Sequence, residues 1–565
     1  MNLKEILLLS LILILGFALR FHGINFDKTC CQHPDERAIV MFTLPLSPPT
    51  SIPQLLDPKS PWNPHFFAYG NLPLYLLKSA ATAASFFNPH LLEYSYISLV
   101  GRFISIVSDV LTIALIFLIG KTVKDKKTGF AAAFIYSLSV LPIQYSHFYT
   151  ADILLTTFVG LCVWRVIRFY QKPSLRNAAL TGIAFGLALS TKISAIPLLS
   201  SISAAIFIDF IFEFKKAPHL PKHWLPHLPP AIKKLFSEGL IILAATIITF
   251  TIAQPYAIID KTEFIKQNAA QANMTRDAYT FPYTLQYVGK IPYVYEIKNV
   301  FLWGLGPAIF LLVLFGLLTI LIGIKKMPQK KQAEFYIILA FCALYFLTVG
   351  KFAIGFMRYL LPIYPFLALF AGYGFIWITK KIEKYNINIR IVILAIVIIA
   401  IFIWPLSFVS VYSKTNTRLT ATEWINNNIA DGSTLTHEVW DDALPMYTNK
   451  KFTTVDLSLY DQPDNEMKWN ILRSKMKSAD YLIISSNRLF IPIQKLDDCS
   501  KYKVCFPIGS KFYNDLFQGK LRFKKVAEFN SFPTIPILNI PIDDQSADES
   551  FTVYDHPKVM IFKRF

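Results

Sequence analysis

Runs of apolar residues limit this chain more than anything else in it. A bilayer core takes a helix of about 20 mostly apolar residues. Eleven segments approximate that: 5–22, 98–120, 128–146, 152–170, 178–190, 193–212, 237–254, 299–323, 334–349, 359–379 and 391–411. Hydrophobic residues make up 54% of the 565 and charged residues only 16%, where soluble domains average roughly 45–50% and 25%. The chain reads as a polytopic α-helical membrane protein, which excludes a disordered, collagen-like or small disulfide-framed one. The formal net charge of +19 invites a nucleic-acid partner, but its distribution argues against one. Residues 1–411 carry 36 Lys and Arg against 18 Asp and Glu, whereas 412–565 carry 20 against 19. The excess belongs to the membrane part, where loop placement explains it, so no nucleic acid is expected.

Five short linkers hold most of it: Lys121/Lys124/Lys126/Lys127, Arg165/Arg168/Lys172/Arg176, Lys215/Lys216/Lys222/Lys233/Lys234, Lys325/Lys326/Lys330/Lys331 and Lys380/Lys381/Lys384/Arg390. Short basic linkers stay cytoplasmic. All five share a side only if the ambiguous apolar stretch 70–88 does not cross, so it is expected to lie at the interface as a juxtamembrane helix. The N-terminus is then inside and the chain after 411 outside. No small-residue cleavage site follows Leu19-Arg20-Phe21, which predicts an uncleaved anchor. The expected organisation is a membrane domain, 1–411, with long outer loops at 23–97 and 255–298, and an outer domain, 412–565. Within the latter, Ala421–Asn428 and Glu466–Met476 read as helices. Thr434–Glu438 and Tyr481–Ser485 read as strands, and Val559–Phe562 as an edge or final strand. The alternation predicts a small α/β layer domain. Cys499 and Cys505 lie close together there, where a disulfide is permitted. Cys162 and Cys342 read as packing residues, and the adjacent Cys30 and Cys31 lack a second pair for a zinc site.

His33-Pro34-Asp35-Glu36, just after the first span, is the sharpest chemical feature. It reads either as a solvated acidic turn or as carboxylates in low-polarity surroundings suited to a general base. A second outer turn, His147-Phe148-Tyr149-Thr150-Ala151-Asp152, falls on the same side; Asp152 is either an ordinary N-cap or a second functional carboxylate. Arg102 and Asp109 share one helix face, and an internal ion pair is the plainer reading for Asp109. Lys192 and Arg358 also lie at outer span ends. Snorkelling explains either alone, but with Arg102 they make three cations beside the carboxylates, which suits a lipid-linked phosphate. P-loop, dinucleotide, zinc-hydrolase and Gly-x-Ser-x-Gly signatures are absent.

In order along the chain come His33-Pro34-Asp35-Glu36, Asn63-Pro64-His65-Phe66-Phe67-Ala68-Tyr69-Gly70-Asn71-Leu72-Pro73-Leu74-Tyr75 and Gly101-Arg102-Phe103. They are followed by His147…Asp152, Ser190-Thr191-Lys192, Pro282-Tyr283-Thr284-Leu285-Gln286-Tyr287, Pro292-Tyr293-Val294-Tyr295, Arg358-Tyr359-Leu360-Leu361-Pro362 and Ser550–Pro557. This series resembles the GT-C membrane glycosyltransferases of the protein-mannosyltransferase-like, lipid-carrier-dependent group, of prokaryotic type. The resemblance implies an inverting hexosyl or pentosyl transfer from a polyprenyl-phosphate sugar to a hydroxyl of a protein, lipid or glycan, at the outer face of the plasma membrane. By motif, Asp35 would be the catalytic base with Glu36 its partner and Asp152 the second acidic motif. Lys192, Arg358 and Arg102 would meet the donor phosphate, and His33, Tyr69, His147, Gln286 and Tyr293 would line the pocket. Some relatives use a divalent metal ion and others do not. Relatives that transfer an aminosugar to lipid A carry Lys-Pro where this chain has Leu72-Pro73, so that sugar is not expected.

A transporter or flippase for a lipid-linked or anionic solute is the competing class, but it should place ionisable groups at mid-span and show repeat symmetry. A membrane scaffold gives no reason for paired carboxylate motifs in two outer turns. Reporter fusions test the topology: those after Lys126, Lys222 and Lys381 should read cytoplasmic, and those near Tyr149 and after Tyr412 extracytoplasmic. A cytoplasmic reading near Tyr149 would mean that 70–88 crosses.

Overall fold

The computed structural model describes residues 2–216 and 230–565. Eight helical segments among them are long and apolar enough to cross a membrane: Tyr94–Val123, Ala151–Gln171, Ile193–Phe212, Phe236–Ala253, Pro307–Lys326, Gln329–Gly350, Met357–Lys384 and Ile387–Asn428. The three remaining sequence segments are helical in other ways. Leu3–Phe21 is a 19-residue helix that carries Lys4, Glu5 and Arg20. Leu175–Thr191 has 17 residues. The stretch 128–146, expected as one span, is two helices, Lys126–Ser137 and Val140–Ser146. Pro142 is the reason: its ring would meet the carbonyl of Leu138, four residues back, in a continuous helix. The third basic linker, centred on Lys222, lies outside the described residues.

Leu72–Ser85 is a 14-residue helix, about 21 Å long at 1.5 Å per residue and too short for a core about 30 Å thick. It buries Leu74, Leu77 and Ala81 against Ile39, Val40 and Ile97, so it packs beside the helix Pro34–Thr43 and the start of Tyr94–Val123.

Inside the bundle the buried charge is paired. Arg20 Nε donates to Asp109 Oδ2 at 2.6 Å with both side chains fully buried, and Tyr136 donates its hydroxyl to the other Asp109 oxygen at 2.6 Å. Arg20 Nη1 also donates to the carbonyls of Gly16 and Ser137 at 3.0 Å, which ties the first helix to two others. Close helix approach uses small residues instead: a Cβ built on Gly316 would lie 1.8 Å from the Phe370 carbonyl oxygen, so only glycine lets Pro307–Gly323 meet Tyr364–Lys381 there.

The C-terminal part is a mixed five-stranded sheet between helices. Its strands are β1 (Thr434–Glu438), β2 (Thr453–Leu457), β3 (Tyr481–Ile484), β4 (Phe523–Phe529) and, after a small hairpin of β5 (Thr534–Ile535) and β6 (Ile540–Pro541), β7 (Val559–Arg564). The order is β2-β1-β3-β7-β4, with β1 parallel to β2 and β3, and β7 antiparallel to β3 and β4. The final strand is therefore internal rather than at an edge. The period of two is plain. Leu482, Ile484, Met560 and Phe562 face the helices Glu466–Ser478 and Pro507–Phe517, while Tyr481, Ile483, Val559 and Ile561 face Thr417–Asn428. A Cys499–Cys505 disulfide closes the loop before Pro507.

This domain is sewn to the bundle. Gln144 Nε2 donates to the Phe551 carbonyl at 2.7 Å and to Asp555 Oδ2 at 3.0 Å, and Tyr412 donates to the same carboxylate oxygen at 2.8 Å. His556 bridges Asp544 and Asp555; those two carboxylates raise its imidazole, against the cost of burial, to about 10, so it is a cation at neutral pH. Packing at Gly316 predicts that Gly316→Leu lowers the melting temperature in detergent, while Gly323→Ala, with nothing within 4 Å of the added Cβ, leaves it unchanged.

Candidate active site

Four ionisable side chains from four distant stretches meet at one end of the bundle. Arg358 Nη2 lies 3.0 Å from Asp35 Oδ2 and its Nε lies 3.8 Å from Asp152 Oδ2. Lys192 Nζ donates to Asp152 Oδ1 at 2.8 Å. Two carboxylates and two cations thus alternate in a cluster that is largely buried, Arg358 being 7% exposed and Asp152 2%.

Local sequence dictates each position. His33 caps the helix Pro34–Thr43: its Nδ1 accepts the Asp35 N–H at 3.1 Å, and Pro34 occupies the first turn, where its missing N–H costs nothing. Asp35 and Glu36 add negative charge at the positive end of the helix, yet successive helical residues point about 100° apart, so they serve different partners. Asp152 sits in the first turn of Ala151–Gln171, whose N-cap is Thr150; Asp152 is therefore not the cap, and its carboxylate is available to Lys192. Lys192 ends the helix Leu175–Thr191 and lies between the Tyr69 and Tyr359 rings, 5.3 Å from each centroid. Gly70 makes that possible. Its N–H donates to the Thr191 carbonyl at 2.9 Å, and a Cβ there would come within 1.7 Å of the Ser190 carbonyl oxygen. Arg358 lies over the Phe356 ring at 4.3 Å.

The cluster holds unused hydrogen-bonding capacity. Arg358 Nε and Nη1, Asp35 Oδ2, Asp152 Oδ2, His33 Nε2, the Tyr145 hydroxyl and Thr150 Oγ1 are all buried without a hydrogen-bond partner among the described residues. Buried polar atoms are normally paired, so this concentration marks a site shaped for a polar ligand. Burial pushes the Asp35 carboxyl up, but Arg358 and Lys192 outweigh it, leaving the group below its ordinary value. Burial depresses His33 to about 3, so its ring is neutral. Because Nδ1 accepts from Asp35, the ring proton is on Nε2, a donor without a partner.

Several residues that the motifs nominate lie elsewhere. Arg102 spends all five N–H groups: on Glu36 at 2.8 and 2.7 Å, on Asp27 at 2.8 Å twice, and on the Ile24 carbonyl at 3.0 Å. Fully buried, it has no donor left for a phosphate. Glu36, which also accepts the Tyr149 N–H at 3.0 Å, is the counter-charge of Arg102 and not the partner of Asp35. His147 is a packing residue, its nitrogens on the Ile143 and His22 carbonyls and its ring stacked on Tyr412 at 3.6 Å. Tyr293 turns onto the helix Gln329–Gly350, its hydroxyl on the Leu347 carbonyl. Gln286 bonds Glu549, which pairs with Arg488 rather than with any member of the cluster. Tyr69 stands beside Asp35. Residues outside that set also border the site: Tyr145, Tyr359 next to Arg358, and Tyr554, whose ring lies 4.2 Å from that of His33. Tyr359 and Tyr554 fall inside the motif runs, which was their signal; Tyr145 has none.

Among the described residues no three His, Cys, Asp or Glu side chains assemble as a metal-ligand set. Asp35 and Asp152, the carboxylates a divalent ion would use, are already compensated by Arg358 and Lys192, so the residues present do not fit one.

The two buried arginines should separate in mutagenesis. Arg102→Ala strands Asp27 and Glu36 as buried charges and should cost roughly 3–5 kcal/mol, seen as a large fall in melting temperature. Arg358→Ala should weaken binding of a lipid phosphate far more than it lowers the melting temperature, and Arg358→Lys should restore only part, because a point charge lacks the fork. Unchanged lipid-phosphate affinity in Arg358→Ala would move the anion site elsewhere.

No curated protein sequence matches the chain. Residues 96–226 match the family model described as dolichyl-phosphate-mannose-protein mannosyltransferase. Among solved structures, the apo oligosaccharyltransferase of Archaeoglobus fulgidus superposes with a TM-score of 0.50 at 11% identity, covering 99% of this chain and 88% of that one. ArnT of Cupriavidus metallidurans bound to undecaprenyl phosphate gives 0.41 at 11% identity, over 99% and 97%. The Saccharomyces cerevisiae Pmt1–Pmt2 complex bound to its sugar donor gives 0.32 at 16%, over 50% and 36%. Residues 96–226 are thus similar in sequence to that mannosyltransferase family, and the chain, with eight described helical segments long and apolar enough to cross a membrane, is similar in overall fold to the archaeal oligosaccharyltransferase.

Proposed function

We propose that the protein is an inverting glycosyltransferase that moves a sugar from a polyprenyl-phosphate donor to a hydroxyl acceptor at the outer face of the plasma membrane. The observation that carries this reading is the Arg358 guanidinium, buried between Asp35 and Asp152 with Nε and Nη1 unused. A guanidinium so placed keeps charged N–H donors free for a donor phosphate. The family model matched over 96–226 supports the same donor class. The basic linkers support an N-terminus inside and a C-terminal domain outside.

The chemistry needs one base. An acceptor hydroxyl gives its proton to an Asp35 carboxylate oxygen while its oxygen bonds to the anomeric carbon. The bond from that carbon to the phosphate oxygen breaks, and its electron pair leaves on the lipid phosphate. Arg358 and Lys192 neutralise that charge, so the leaving group needs no acid. Attack opposite the departing phosphate inverts the anomeric centre. Asp152 holds Lys192 in place at 2.8 Å. Neutral His33 fixes the Asp35 backbone and presents Nε2–H as a donor.

The electrostatics give the reaction a pH signature. With Arg358 beside it, the free enzyme's Asp35 is ionised down to pH values below the ordinary carboxylate range. A bound phosphate draws on Arg358 and adds a negative charge, so it raises the Asp35 pKa. The acid limb of kcat, which reports the bound complex, should therefore lie at higher pH than that of kcat/KM, which reports the free enzyme. Asp35→Asn should lower transfer by about 10²–10⁴-fold while lipid-phosphate binding survives, and Asp152→Asn should cost less. The assay is sugar transfer from a polyprenyl-phosphate donor in liposomes. Near-wild-type turnover of Asp35→Asn would sink the base assignment, and a retained anomeric configuration would sink the single displacement.

A further inference from the structure

The parallel strands of the C-terminal sheet end over the active-site cluster. The chain leaves β1 toward β2 on one side and returns as β3 on the other, so the strand order reverses at β1. Open parallel sheets bind ligands in the crevice outside the carboxyl ends of their strands at such a switch point. Here those ends carry Trp440, after β1, and Asn487 and Arg488, after β3. The segment entering antiparallel β7, with Tyr554, lies at the same end, since Ile484 pairs with Met560.

Trp440 is the anomaly at these strand ends. It is 44% exposed, and its φ is +86°, a left-handed conformation that is a genuine outlier for a bulky residue. Its surroundings hold it there. The next residue, Asp441, accepts from Arg418 at 2.7 Å and from Ser486 at 2.5 Å, and Arg488 Nη1 donates to the Trp440 carbonyl at 3.2 Å. Strain that the surroundings over-determine belongs to ligand clamps and active sites. Two routes connect this ring to the reacting groups. Its centroid is 6.3 Å from that of Tyr283, which lies 6.5 Å from Phe356, the ring beneath Arg358. On the other route Arg488 lies 5.7 Å from the Tyr554 ring, and that ring packs on His33 beside Asp35. Asn487 keeps a buried carbonyl oxygen without a partner among the described residues.

We infer that this crevice is the acceptor subsite and takes a saccharide, the exposed face of Trp440 stacking on a pyranose ring while Arg488 and Asn487 serve its hydroxyls. The inference rests on the proposed transfer reaction and adds the acceptor class to it. A flat aromatic face with polar groups beside it suits a ring that is apolar on one face and hydroxylated at its rim. A peptide bound by strand addition would need an unpaired strand edge, and β1 and β3 are both internal strands.

The test uses the full chain in detergent, titrated separately with neutral methyl pyranosides and disaccharides, a Ser/Thr peptide and polyprenyl phosphate. Binding is read by saturation-transfer NMR. At least one saccharide should bind at millimolar concentration. Trp440→Ala should weaken it about tenfold or more, Trp440→Phe should keep most of it, and polyprenyl phosphate should bind both variants as before. Trp440→Gly should lose the saccharide while its melting temperature stays or rises, since glycine accepts a positive φ; a merely structural tryptophan would show the reverse. Saccharide binding that is absent, or unaffected by Trp440→Ala, would overturn the subsite while lipid-phosphate binding continued to support the donor site. Trp440-dependent binding of the peptide instead would overturn the acceptor class. Failure of polyprenyl phosphate to bind the wild type would strike at the proposed reaction and not at the crevice.

Discussion

Arg102 spends its full complement of hydrogen bonds on one short stretch of chain, and the position of everything chemical follows from that. Asp27, Ile24 and Glu36 all receive from it, and Asp27 in turn accepts the backbone N–H groups of Thr29 and Gln32 at 3.2 Å. The loop from the first helix to Pro34–Thr43 is thereby fastened to the helix Tyr94–Val123. A buried ion pair of this kind is weak evidence for net stability, because desolvation consumes most of the attraction. Its effect is on geometry. With Glu36 fixed inward, the 100° step along the helix aims Asp35 toward Arg358, and the carboxylate has little freedom to swing.

The cluster itself shows a second constraint. Burying Asp35 and Asp152 as charges without compensation would cost the fold several kcal/mol each, so Arg358 and Lys192 answer a structural need as well as a chemical one. The pairing is deliberately loose on one side. Asp152 is bonded to Lys192 at 2.8 Å, whereas Arg358 meets Asp152 only at 3.8 Å and retains two unused nitrogens. A cation held by charge but not saturated with hydrogen bonds can turn to an incoming anion without first losing strong bonds. Aromatic rings around it lower the local dielectric and strengthen that attraction.

Much of this is legible in the sequence, and what escapes does so for identifiable reasons. An ionisable residue at the end of an apolar run is conspicuous, which is why Asp35, Asp152, Lys192 and Arg358 stand out, and short continuous apolar runs expose β3 and β7 as strands covered on both faces. Partnership across helices is harder to read. Spacing places Arg102 and Asp109 on one face, but it cannot say that Arg102 turns to the loop while Asp109 turns to Arg20. The same blindness put His147 and Tyr293 in a pocket, when rotations about single bonds send them to backbone carbonyls. The break inside 128–146 was readable from Pro142, but mean hydropathy over the segment conceals it.

The C-terminal domain completes the site. Its Tyr554 covers His33, and Arg488 holds Tyr554, Glu549 and the Trp440 carbonyl together, while Gln144 and Tyr412 bind the adjoining Asp555 from the membrane side. The C-terminal domain and the bundle are therefore joined beside the cluster through one segment, residues 551–556. Burying the ion cluster in this way excludes water from it and makes each charge there count for more. The neutral His33 depends on that exclusion, so the protonation state of the residue that caps the helix of Asp35, near the start of the chain, is set in part by a tyrosine close to its end.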